Sequence, residues 1–369
     1  MSRSNLPGLT NIRFFAALWV IFFHIGFLWH NSSSVFADLI SIGYIAVSIF
    51  FILSGFILGY NYAGTNVSAA EFWAARAGRI LPVYFVGLLL DAHASILSVS
   101  HAGQTGSYLS LLPAPFLLQA WFPFTALSWN PPAWSLSCEA FFYLLFPFLA
   151  PKLATLFRRC PLATLSILWL LSAVPSVAYA FLHPEGIVSI ESRTLWLSVI
   201  RFNPLLRLPE FALGICLGAA YLDGLRIPRP RLCLAGSCLG LVLTAVFLRS
   251  FPYPALHNGL LSPLFVVMIL SAASLGSAAH NSILQLLGEA SYSLYILMVP
   301  LGTIVSNVAR RLHFNLTTIL GVAVYIVIAV GISILSLKWV ETPARRWIRA
   351  RLSSSQRKTS AKNTETISA

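Results

Sequence analysis

Apolar runs of about twenty residues recur along the chain, and this recurrence limits the fold more than any other feature. The first, Gly8 to Trp29, reads GLTNIRFFAALWVIFFHIGFLW. A helix of about 20 apolar residues crosses about 30 Å of hydrocarbon. By the same criterion further spans are expected at 38–60, 80–98, 133–150, 161–182, 205–222, 232–249, 258–277, 283–305 and 316–338. The stretch 108–125 is also apolar, but Pro113, Pro115 and Pro123 break it. It is expected as a re-entrant or interfacial segment, because interrupted backbone in lipid needs protein or water partners. Composition agrees: 57% of residues are hydrophobic and 9% charged, against about 25% charged in soluble domains. The expected fold is an all-α integral membrane protein with about ten transmembrane helices in one bundle. Residues 1–352 form the multi-span domain, and 353–369, which lack apolar periodicity, a disordered cytosolic tail.

A net charge of +13 would ordinarily raise nucleic acid as a partner. Here the basic residues lie mostly between and after the apolar runs, which is the positive-inside pattern. With a cytosolic N-terminus, Arg3, Arg76, Arg79, Lys152, Arg158, Arg159, Arg226, Arg229, Arg231 and the group from Lys338 to Lys362 fall inside, and only six arginines fall outside. Both termini are therefore expected in the cytosol, with the bilayer as partner and no nucleic acid. The five cysteines form no CxxC pair and read as packing residues. No metal is expected, and no Walker loop, GxGxxG, HExxH or internal repeat is visible.

Polar residues inside apolar runs are the candidates for chemistry. Arg13 and His24 lie eleven positions apart in the first run, so they leave the helix on one face, about 16 Å apart along its axis. A charge in a span costs about 2.5–3.5 kcal/mol on insertion scales and usually faces protein or a wet cavity. The plainer readings are a snorkelling arginine and a packing histidine. In EFWAARAGRILPVYF, Arg76 and Arg79 share a helix face, a good phosphate clamp or simple positive-inside anchors. Asn130-Pro131-Pro132 break the chain before WSLSCEAFFYLLFP, where Ser135 and Glu139 can face one cavity. Arg207 and Glu210 are three apart and read as a structural ion pair. Ser291, Tyr292, Ser293 and Tyr295 supply hydroxyls for a polar path or for packing. Ser54-Gly55 suggests close helix packing, and KWVETPARRW a cytosolic stop.

Taken together these stretches resemble the membrane-bound acyltransferase family 3, whose members O-acylate bacterial surface glycans and secreted glycolipids or antibiotics. The resemblance rests on Arg13-(ten residues)-His24, RAGR at 76–79, WSLSCEAFFYLLFP with Trp134 and Glu139, FFILSGF, RLPEF, SYSLY and ETPARR in that order, across about residues 6–350. Where many relatives carry a histidine after SYSLY, this chain has Met298. The resemblance implies a multi-pass protein of the bacterial cytoplasmic membrane. Its donor would be cytosolic acyl-CoA, with acetyl-CoA as the default, and its acceptor a glycan or glycolipid. Arg76 and Arg79 would then hold coenzyme A. His24 would be the general base, Arg13 would stabilise or position the acyl carbonyl, and Glu139 would orient His24. Trp134, Ser135 and Tyr292 would contact substrate. A secondary transporter, which also places charges at the midplane, is the alternative from another class.

Overall fold

The computed structural model describes residues 3–26, 34–65, 67–101, 108–247, 251–348 and 350–351. Twelve α-helices organise them: α1 Pro7–His24, α2 Val35–Ser41, α3 Ala46–Tyr62, α4 Ala69–His101, α5 Trp134–Arg159, α6 Pro161–Leu182, α7 Leu195–Phe202, α8 Pro204–Leu222, α9 Pro230–Phe247, α10 Ser262–Ser274, α11 Ser282–Arg311 and α12 Ile319–Ser336. No strand occurs among the described residues. The chain is an all-α, multi-pass membrane protein.

Among the described residues, eight helices are long and apolar enough to cross a membrane. Two of the ten expected spans are not among them. α1 has 18 residues and carries Asn11, Arg13 and His24, and α10 has only 13 residues. The tail expected at 353–369 lies outside the described residues.

Several helices outrun their apolar stretch. α4 starts at Ala69 and passes through Pro82, so Arg76 and Arg79 lie within the helix rather than before it. After α12 the chain makes a π-helical turn over Leu337–Glu341 and continues helical to residue 348. That turn corrects the reading of KWVETPARRW as a cytosolic stop. Glu341 is fully buried, pairs with Arg345 and accepts a hydrogen bond from Ser293 of α11. The proline-broken stretch does lie against the bundle, as expected, as short 3-10 turns at Tyr108–Leu111, Ala114–Phe116 and Gln119–Trp121. Its interrupted backbone finds protein partners: Ser137 donates to the Leu117 carbonyl, Tyr84 to that of Ala114, and Thr125 to that of Gln119 at 2.8 Å.

α3 is apolar on every side and buried on nearly every side, as a helix enclosed by others must be. Its closest neighbour is α8. A Cβ at Gly55 would sit 2.0 Å from the Phe211 carbonyl oxygen, and one at Gly214 2.0 Å from that of Ile52. Gly59 and Gly218, each one turn further on, repeat the approach. The two helices therefore meet backbone to backbone through small residues spaced by four. Gly214→Leu should strip this contact and leave little monodisperse protein in detergent. Gly331→Leu, at a position with open space around its Cβ, should purify and unfold like the parent. A normal thermal unfolding curve for Gly214→Leu would contradict the close approach.

Candidate active site

Between α1, α3, α4, α5 and α11 lies a narrow chamber of about 80 Å³. It gathers Arg13 from α1, Arg76 and Arg79 from α4, Ser135 and Glu139 from α5, and Ser291, Tyr292 and Tyr295 from α11. The four charged residues are half-buried, their free surface turned to this space. Glu139 lies near the charges of Arg79 and Arg13 and the hydroxyls of Tyr143 and Ser54. Tyr143 and Ser54 are 3.2 Å apart. Arg76 is held by Tyr62, whose hydroxyl accepts from it at 3.5 Å, and lies over the Tyr62 and Phe72 rings at 5.8 Å. Among the described residues no carboxylate lies within 4 Å of Arg13 or Arg79. Three guanidiniums face one carboxylate, so the chamber carries an excess of positive charge and unspent planar donors, the chemistry that takes phosphate.

His24 is not in this chamber. It ends α1, where it lines a second, outer cavity of about 570 Å³ and a third of about 720 Å³. Val47 and Tyr295 line both the chamber and the outer cavity, so the two spaces lie side by side there. Tyr295 is fixed at that junction by Ser135, 2.9 Å away, and by donation to the Pro132 carbonyl at 3.2 Å. The Nδ1 of His24 is 2.8 Å from the Val20 carbonyl oxygen. A carbonyl only accepts, so Nδ1 carries the proton, and in the neutral ring Nε2 keeps its lone pair. Val20, not Glu139, thus orients the imidazole; Glu139 and His24 line different spaces.

The outer cavity is polar and aromatic. Trp134, Tyr44, Phe202 and His257 line it with Asp38, Glu191, Arg193 and Arg201. Trp134 belongs here rather than beside its neighbour Ser135. Behind it Arg207 and Glu210 pair at 3.1 Å with no exposed surface. Arg207 also donates to the His257 carbonyl at 2.7 Å and to Ser48 at 3.1 Å, and lies over the Phe51 and Trp134 rings. Glu210 accepts from the Gly259 amide at 2.8 Å. The loop bearing Glu191 and Arg193 is tied down by Glu185, which accepts from Tyr179, Thr194 and the Trp196 and Leu197 amides. Burial opposes the Glu185 charge, but those four donors outweigh it and hold the carboxyl down to about 2. The tie therefore holds above the ordinary carboxylate range and fades only as the pH falls toward that value.

Six of the expected site residues, Arg13, Arg76, Arg79, Ser135, Glu139 and Tyr292, share the chamber, while His24 and Trp134 share the outer cavity. The Tyr292 hydroxyl is committed to the Ile80 carbonyl at 2.6 Å, so its ring faces the chamber and its polar tip does not. Sequence reasoning passed over Tyr143, Arg201 and His257. His257 had a signal, since His-Asn at 257–258 interrupts an apolar run as Glu139 does. No three His, Cys, Asp or Glu side chains group as metal ligands among the described residues.

A family model described as "Acyltransferase domain" matches residues 6–338. The chain belongs to this acyltransferase family. It is similar to the acyltransferase MdmB of Streptomyces mycarofaciens, with 34% identity over 57% of this chain and 56% of that one. The exopolysaccharide production protein ExoZ of Rhizobium meliloti is 29% identical over 69% of this chain and 75% of its own length. The peptidoglycan O-acetyltransferase OatA of Listeria monocytogenes is 26% identical over 94% of this chain and 56% of its own. The chain thus spans about half the length of two of these relatives. No solved structure matches it. Membership in an acyltransferase family favours an enzyme over a transporter.

The buried pair behind Trp134 gives a direct test of the outer wall. Removing one partner of such a pair costs about 3–5 kcal/mol, whereas replacing both by apolar groups is often near neutral. Arg207→Met should therefore lower thermal stability sharply, and adding Glu210→Met should restore much of it. Equal loss in the single and double variants would contradict the pairing.

Proposed function

We propose that the protein is a membrane O-acyltransferase that moves an acyl group, acetyl by default, from cytosolic acyl-CoA to a hydroxyl of a cell-surface or secreted glycan or glycolipid. The observation that carries this reading is that the Arg13–Arg76–Arg79 chamber and the cavity lined by His24 are neighbours, with Val47 and Tyr295 in the wall of both. A polyanionic donor would leave its phosphates at the arginines, with α4 opening to the cytosol. Its pantetheine arm would thread the junction and present the thioester to His24.

His24 Nε2 takes the proton of the acceptor hydroxyl as the oxygen attacks the thioester carbonyl. A C–O bond forms, the C–S bond breaks, and the proton passes from the imidazole to the departing thiolate. Arg13 stands about three helical turns, or about 16 Å, from His24. It accordingly positions the donor with Arg76 and Arg79 and does not touch the developing oxyanion. Glu139 keeps the three guanidiniums from repelling one another and sets their orientation. Trp134 in the outer cavity offers the acceptor a flat apolar face; Ser135 holds Tyr295 at the junction.

In purified protein in nanodiscs, with labelled acetyl-CoA and a cell-envelope glycan extract, His24→Ala should lower kcat by about 10²-fold or more while acetyl-CoA binding persists. A parental rate would end the base assignment. Arg76→Ala with Arg79→Ala should raise the donor KM at least about tenfold, since a charged hydrogen bond contributes about 1.5–3 kcal/mol. An unchanged KM would remove the phosphate clamp.

A further inference from the structure

The third cavity, between α1, α11 and α12, has no part in the steps above. We propose that it holds the apolar portion of an amphipathic acceptor, so that the acylated hydroxyl lies at the junction between a saccharide and a hydrocarbon. This rests on the reading of His24 as the base.

His24 and Pro131 line both this cavity and the polar outer one, and the two spaces differ in chemistry. The apolar walls of this cavity are Ile21, Ile25, Met298, Val299 and Val322, with hydroxyls and amides such as Thr303, Ser306 and Asn307 further along α11 and Asn315 and Thr317 beyond it. Met298, 2% exposed, is one of these apolar walls. Arg310, near the end of α11, is the only charged residue among the lining residues, and no carboxylate is present among them. The outer cavity, by contrast, mixes acids, arginines and aromatic faces, a lining suited to a polyhydroxylated ring. One imidazole edge thus touches a polar and an apolar space at once. A molecule with a sugar at one end and an aliphatic body at the other fits across it.

The size and connections of the cavity argue against a donor's acetyl group as occupant. At about 720 Å³ it falls in the range of about 300–1,000 Å³ that holds whole ligands, far more than an acetyl group fills. It shares no lining residue with the arginine chamber. A donor arriving through that chamber reaches His24 before it could enter.

The test uses the protein in nanodiscs and a dodecyl glucoside with a photoreactive diazirine in its chain. Labelling should map to α11 and α12 around Val299 and Val322, and should be competed by dodecyl glucoside but not by methyl glucoside. Gly302→Phe is the blocking variant: a Cβ there meets only the Tyr325 side chain, 3.6 Å away at the hydroxyl, so a larger group can enter the cavity without moving backbone. It should cut labelling at least tenfold and raise the KM for the glucoside while coenzyme A binding is unchanged. Should Gly302→Phe fail to insert, Val322→Trp supplies the same block. Labelling spread over the lipid-facing helices, or undiminished in the blocked variant, overturns the proposal and leaves bilayer lipid as the occupant. A block that shifts the acyl-CoA chain-length preference instead overturns it in favour of the donor. Labelling needs no catalysis, so intact labelling without acyl transfer would count against the base reading of His24 alone.

Discussion

Guanidinium groups inside an apolar bundle have to be surrounded by protein, and that requirement organises this structure. Arg13, Arg76 and Arg79 rise from two helices and line one chamber, in which Glu139 is the one carboxylate among the lining residues. Three like charges at close quarters repel unless something between them is negative. A single carboxylate offsets only part of that, and the remainder is an anion site. Arg207 shows the other solution: Glu210 pairs with it and oxygens of Ser48, His257 and Asn258 accept from it, so its charge is met within the bundle.

The backbone makes the same division. α3 and α8 approach through glycine until carbonyl meets Cα, giving a rigid axis with no room inside it. The arginine chamber opens beside that axis, where α3 faces α1, α4, α5 and α11. His24 falls at the end of α1, where three walls meet, because α1 stops there. Its Nδ1 is bound back to Val20 of the same helix, so no second residue is needed to aim it.

Much of this was legible in the sequence, because a polar residue in an apolar run must face protein and helical spacing then says which others it meets. That logic puts Arg76 with Arg79, Ser135 with Glu139 and Arg207 with Glu210 without a structure; that the first four meet Arg13 in one chamber is known only from how the helices pack. It fails where the outcome depends on how helices cross. Nothing in WSLSCEAFF says that Tyr295 stands between Glu139 and His24, so the expected contact between those two does not form. Glu341 read as a stop because proline and arginines follow it, yet a π turn carries it into the bundle against Ser293. α10 read as a full span although it ends after 13 residues, because a hydrophobic run does not reveal where a helix ends.

The claim beneath all of this is one path that binds a polyanionic thioester at one end and exposes its acyl carbon at the other. A structure of the protein with a non-hydrolysable thioether analogue of acetyl-CoA tests it most directly. The account predicts phosphate density against Arg76 and Arg79, the arm passing between Val47 and Tyr295, and the acyl group beside Nε2 of His24. An analogue bound elsewhere, or an arm that never passes Tyr295, would contradict it.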